Sequence, residues 1–204
     1  MTDPPAEIDQ ESQGRLEAVL QARRDALERL RDKGIEPFAL RFDKDTDAAQ
    51  LHERFGGLAA GEESTERAAV AGRIMLLRRQ GKLSFITLRD RSGDIQLFLT
   101  RDALGPAYEL VDLLDLGDIV GAAGAVMKTR RGELSVKPDE LILLTKALRP
   151  PPEKFHGLRD PELRFRRRYL EFATNLGVRG YRVRRHGNES ETCLLYTSPS
   201  PRDS

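Results

Sequence analysis

Six residues in the middle of the chain carry chemistry suited to holding a flat, charged ligand. Arg78, Arg79 and Lys82 cluster within five positions and offer cationic groups to an anion such as phosphate. Phe85 offers a ring for stacking. Gln96 carries an amide that both donates and accepts, and Glu133 a carboxylate that accepts from an imino or amino proton. Each residue also has an ordinary reading: Phe85 as interior packing, Gln96 as a solvated strand position, the arginines as solvated surface. Catalytic constellations lack their parts. His52, His156 and His186 lie in separate segments without ligand spacing, so no metal site is expected. The single cysteine, Cys193, excludes an intrachain disulfide or a cysteine-based zinc site. No glycine loop for cradling phosphates is present, and nothing orders the Ser, His and Asp residues into a nucleophilic set. No catalytic residue is expected; read alone, the chain is a binding module.

Such residues need a rigid support, and the flanking pattern supplies one. Residues 69–77, 83–88 and 95–99 read as strands, the last with clean alternation of period two. They are separated by polar turns at 78–82 and 90–94. Residues 102–116 return to helical spacing through Leu110, Val111, Leu113 and Leu114. Strands follow at 118–127 and 133–136 around a turn at 128–132. Three strands, a helix and two strands is the order of an OB-fold. The spacing therefore predicts a mainly β chain with helices, a five-stranded OB-fold barrel over 67–149 with an N-terminal helical arm. Gly72, Gly121 and Gly124 fall inside strands, where a small barrel bulges or bends. OB barrels bind single-stranded nucleic acid on the face of their first three strands, by stacking and by cationic contacts to phosphates.

The rest of the chain divides around this body. Residues 1–14 read as a disordered tail and 15–66 as the arm. In the arm, Leu16, Leu20, Leu27 and Leu30 form a stripe on a helix over 15–33 that Gly34 ends, and 46–55 suit a second short helix stopped at Gly56-Gly57. Pro150-Pro151-Pro152 marks a boundary. Of the 204 residues, 39% are hydrophobic and 33% charged, the balance of a soluble globular chain. No apolar run approaches the ~20 residues that cross a bilayer, and the N-terminus has no signal-peptide pattern. No membrane partner is expected, and a reduced cytoplasmic setting is. The first 66 residues are acidic and the remainder basic, a division that fits a nucleic-acid partner for the body.

Two stretches then point to a family. Leu143-Leu144-Thr145-Lys146-Ala147-Leu148-Arg149-Pro150 runs into Lys154-Phe155-His156-Gly157-Leu158, followed by Asp160, Glu162 and Arg167-Arg168-Tyr169-Leu170. This block resembles the hinge between the anticodon-binding and catalytic domains of class II lysyl-tRNA synthetases. Val70-Ala71-Gly72-Arg73-Ile74, Phe85-Ile86-Thr87-Leu88-Arg89-Asp90, Asp94-Ile95-Gln96-Leu97 and Gly132-Glu133-Leu134-Ser135 resemble the OB domain of the same family, and Gly34-Ile35-Glu36-Pro37 its N-terminal arm. The resemblance covers about 15–178.

It implies recognition of the uridine-rich anticodon loop of a lysine tRNA, with Phe85 stacking on the central uridine. Gln96 and Glu133 would lie at base edges, and Arg78 or Arg79, with Lys82 nearby, at phosphates or bases. The parent would be a cytoplasmic homodimeric ligase that joins lysine to its tRNA with ATP and Mg2+. Residues 150–180 would hold the hinge and the approach to the first catalytic motif. The catalytic motifs would then be missing, the fragment inactive and no cofactor held on it. Residues 181–204 are expected to depart from the family, the stretch from Cys193 resembling a translated sequencing adaptor. The alternatives are an aspartyl- or asparaginyl-type anticodon domain and a stand-alone OB protein for single strands.

Overall fold

The computed structural model describes residues 10–151 together with Arg166. The expected hinge and C-terminal segment otherwise lie outside the described residues, as do residues 1–9. The chain divides between Pro150 and Pro151 into two compact units, and the first is described here.

Helix α1 (Gln10–Asp32) begins inside the stretch expected to be a tail. It ends where the sequence stops it. Gly34 takes a φ of 68°, its N–H donates to the Arg31 carbonyl, and the Ile35 N–H reaches back to Leu30. This is a Schellman cap, with Ile35 packed against the same core that buries Leu30. The buried face is Arg23, Ala26 and Leu30, whereas Leu16 and Val19 are exposed. Of the expected leucine stripe, Leu30 is buried and Leu20 and Leu27 half-buried, whereas Leu16 faces water and Arg23 joins the packed side. Arg23 donates to the carbonyls of Leu116 (2.9 Å) and Ala147 (2.6 Å), which satisfies its charge in place of water.

Helix α2 (Ala48–Phe55) buries Ala48, Leu51 and Phe55. At its start the Gln50 side chain accepts from the Asp47 N–H, half of a capping box. The Asp90 carboxylate, from a turn forty residues on, accepts from the Ala48 N–H and from Ser92, Gly93 and Lys44. Burial would raise the Asp90 pKa. Those hydrogen bonds outweigh it and hold the carboxyl well below the usual aspartate range.

Five strands close into a barrel in the order β1-β2-β3-β5-β4. They are β1 (Glu63–Gln80), β2 (Leu83–Arg89), β3 (Asp94–Thr100), β4 (Ile119–Lys128) and β5 (Leu134–Thr145). All neighbours are antiparallel except β3 and β5. β1 starts four residues before the expected boundary at 67, and β5 runs far past the expected 133–136, because both pair along the length of β4. On β2 and β3 the alternation is complete: Ser84, Ile86, Leu88, Ile95, Leu97 and Leu99 face the interior, and Phe85, Thr87, Gln96 and Phe98 the outside. At Gly124 the ladder with β5 shifts register, and a Cβ there would lie 2.1 Å from the Lys137 carbonyl. The bend needs glycine.

The helix expected over 102–116 is three short pieces: α3 (Arg101–Leu104), a 3-10 turn (Gly105–Tyr108) and α4 (Glu109–Leu113). Gly105 at a φ of 54° and Pro106 interrupt the helical ladder. The pieces still bury Leu104, Tyr108, Leu110, Val111, Leu113 and Leu114 against the barrel, so the spacing identified the apolar face but not the break. Inside, the Tyr108 hydroxyl meets Ser84 Oγ at 2.9 Å and donates to the Gly81 carbonyl.

Candidate nucleic-acid interface

Strand register, not proximity in sequence, assembles the site. Arg78 on β1 lies opposite Phe85 on β2, and Phe85 opposite Phe98 on β3. The next row joins Thr87 to Gln96, and Gln96 to Ser135 on β5. Residues directly opposite on paired antiparallel strands share a face, so Arg78, Phe85, Phe98, Thr87 and Gln96 make one outer surface, with Ser135 buried beside Gln96. The β4–β5 turn forms its rim. That turn is closed by its own bonds: the Thr129 N–H donates to the Glu133 carbonyl (2.9 Å), and the Glu133 N–H to Thr129 Oγ1 (3.1 Å). The Glu133 side chain and the exposed Arg130 and Arg131 are carried on this tied loop.

Surface and rim enclose a groove of about 710 Å³ lined by Arg78, Phe85, Gln96, Phe98, Arg130, Arg131 and Glu133, among others. The two phenylalanine rings meet edge to face with centroids 5.4 Å apart. Both are half-buried on the outer face, so Phe85 is not a residue of the barrel interior. Gln96 is oriented from behind: the buried Ser135 hydroxyl donates to its Oε1 at 2.9 Å. The far end of the amide remains for a ligand.

Four of the six residues singled out from sequence, Arg78, Phe85, Gln96 and Glu133, are therefore brought to one groove. Glu133 stands in the turn just before β5 instead of starting the strand. Arg79 and Lys82 lie outside the groove. Arg79, opposite Ser84 and one residue out of phase with Arg78, donates to the carbonyls of Val111 (3.0 Å) and Leu114 (2.6 Å) and anchors α4. Lys82 sits in the β1–β2 turn outside the groove lining. Sequence reasoning missed Phe98, Arg130, Arg131 and Ser135. Phe98 had a signal, since period two places it on the same face as Gln96. Arg130 and Arg131 were read only as turn residues.

The chemistry available is recognition: ring faces for bases, three arginines for phosphates, and a donor and an acceptor for base edges. Among the described residues no group of His, Cys, Asp or Glu could hold a metal ion, and no helix is long and apolar enough to cross a membrane.

Residues 68–144 match the family model described as the OB-fold nucleic acid binding domain. Strand order and match agree on an OB-fold for the barrel. The matched segment takes in the greater part of β1, all of β2 to β4, and β5 except its last residue.

The particular relatives are lysine–tRNA ligases. The chain is 45% identical over 169 residues to that of Oceanobacillus iheyensis, covering 81% of this chain and 34% of the relative. For Enterococcus faecalis the figures are 45% over 172 residues, with the same coverage. For Salmonella arizonae they are 42% over 214 residues, 94% of this chain and 42% of the relative. That last span necessarily runs past residue 180, where the resemblance was expected to end. The chain spans about a third of the length of the first two relatives.

Proposed function

We propose that this unit reads the anticodon loop of a tRNA, as the anticodon-binding part of a lysine–tRNA ligase. The observation that carries the reading is the pair of rows on the outer face. Phe85 and Phe98 offer a stacking platform beside Gln96 and Glu133, with Arg78, Arg130 and Arg131 around them. Anticodon bases are unpaired and splayed, so their faces and edges are open to such a surface. One base stacks on the phenylalanine platform. The arginines neutralise the phosphates on either side. The Gln96 N–H groups donate to a ring carbonyl, and the Glu133 carboxylate accepts from a ring N–H; a uracil presents both.

Lysylation itself belongs to the whole ligase. ATP and Mg2+ are proposed for the parent ligase and not for this chain. Homodimer formation and a cytoplasmic setting are likewise proposed for the parent. This chain should support no lysine-dependent ATP–pyrophosphate exchange.

The experiment is a titration of the 204-residue chain with the anticodon stem-loop of a lysine tRNA, an unrelated stem-loop and poly-dT at one salt concentration. Tightest binding of the lysine stem-loop is expected. Equal affinity for all three would instead make the chain a single-strand binder without sequence preference.

A further inference from the structure

We propose that the groove seats a second base beside the phenylalanine platform, on Leu83 with Gln80 at its edge, and that this seat accepts any of the four bases. The inference rests on the anticodon reading above. One base on Phe85 and Phe98 does not fill a groove of about 710 Å³, a size that takes ligands larger than a single base. The lining continues past the platform through Gln80 and Leu83. Gln80 lies opposite Leu83, and Leu83 opposite Thr100. The three stand two positions from Arg78, Phe85 and Phe98 along β1, β2 and β3. Their row is therefore on the same outer face, about 7 Å from the platform row.

The row suits a flat ring. Leu83 is half-buried and offers an apolar surface that a base would take out of water. Gln80 is exposed, and among the described residues neither its amide nor the Arg78 guanidinium has a hydrogen-bond or ion-pair partner. Arg79, between them and out of phase, is engaged with the Val111 and Leu114 carbonyls. The two polar side chains that reach the groove from this end of β1 are thus the two left open. Arg78 stands in the platform row, where it can take the phosphate that joins the two nucleotides. An amide that nothing holds can turn either its N–H groups or its oxygen to a base edge, and every unpaired base shows a group that answers one of them. Contact with Leu83 is equally indifferent to which ring lies on it. The seat therefore contributes affinity without choosing among bases.

The test uses the full chain and lysine stem-loops in which the nucleotide on the 5′ or the 3′ side of the central uridine is intact, abasic or replaced. Gln80→Ala should raise Kd for the intact loop about 2- to 10-fold, the loss of one hydrogen bond. On one of the two abasic loops the substitution should change nothing, because the base it touches is gone; on the other it should keep its full effect. Leu83→Ala should follow the same pattern on the same loops. At the flank so identified, each of the other bases should bind the wild-type chain within about threefold of uridine, and the abasic loop more weakly than all four. Gln80 is exposed and its amide bonds nothing in the protein, so its variant reports even if Leu83→Ala folds poorly. Equal Gln80→Ala losses on all three loops would place the amide on sugar or phosphate, and no loss on the intact loop would place it in solvent; either result overturns the second seat and leaves the anticodon reading standing. A preference above about tenfold at that flank, removed by Gln80→Ala, would overturn the seat's indifference to the base. A wild-type chain that binds the lysine stem-loop no better than poly-dT would overturn the anticodon reading itself.

Discussion

Phe85→Ala separates a recognition ring from a packing ring, and the structure sets the size of both effects. Phe85 stands on the outer face, half-buried, against Phe98 at a centroid distance of 5.4 Å. Truncation removes one edge-to-face partner, worth about 0.5–1.5 kcal/mol. It opens no sealed interior cavity, unlike a core Phe→Ala change at about 3–5 kcal/mol. The loss in RNA binding is a separate quantity. One aromatic–base stack contributes about 1–3 kcal/mol, which is a rise of about 5- to 150-fold in Kd. The expected outcome is a large binding loss with a small stability loss. Fluorescence anisotropy with the lysine anticodon stem-loop reads the first, and urea unfolding of the same preparations reads the second. The uridine and cytidine loops should weaken together, since every base has a face to stack. A stability loss above about 3 kcal/mol with Kd changed less than twofold would refute the reasoning.

Four further substitutions have outcomes set by their contacts. Arg78→Ala should reduce the slope of log Kd against log salt by about 0.7, one phosphate contact of a single strand; Arg79→Ala should leave the slope alone and lower the unfolding midpoint, because the Val111 and Leu114 carbonyls lose their donor. Asp90 has a folded pKa below its unfolded value, so its contribution is present above the ordinary aspartate range and is lost as pH falls below about 4. Asp90→Asn should flatten the acid limb of a urea-midpoint profile, and parallel limbs for the two proteins would contradict this. Lys146 is buried and donates to the Leu113 carbonyl, Asp115 and the fully buried Asp118, so Lys146→Met should cost about 3–5 kcal/mol. Calorimetry would read this as a fall of roughly 6–20 °C, and a loss below about 1 kcal/mol would show that the carboxylates re-solvate.

The strands that carry the site were legible because each is half-buried. Residues 95–99 alternate with period two, and the structure keeps that phase there and on β2. What alternation cannot tell is which face is the inside of a closed sheet, so Phe85 remained ambiguous until its partner Phe98 was found on the outer surface. The same limit explains Arg78 and Arg79. Adjacent arginines on a strand point to opposite sides, and only the pairing of β1 with β2 says which one meets the groove. The extents of β1 and β5 were illegible for another reason, since their outer residues are strand only through β4. Gly105-Pro106 is the signal for the break in the 102–116 segment, which the spacing of the leucines alone does not show. Ser135 gave no signal at all: a lone serine in a strand acquires a role only from the residue across the sheet.

Arg23 imposes an order of events on a nascent chain. Its acceptors are the carbonyls of Leu116 and Ala147, 93 and 124 positions further along. Helix α1 thus leaves the ribosome well before its acceptors and cannot be seated until almost the whole barrel has followed it. At roughly 5–20 residues per second the wait is on the order of 6–25 s. During that interval the apolar side of α1, Ala26 and Leu30 included, has nothing to pack on and is open to capture by chaperones or by neighbouring chains. Translation arrested before residue 147 should leave α1 sensitive to protease, and arrest well beyond it should protect the helix.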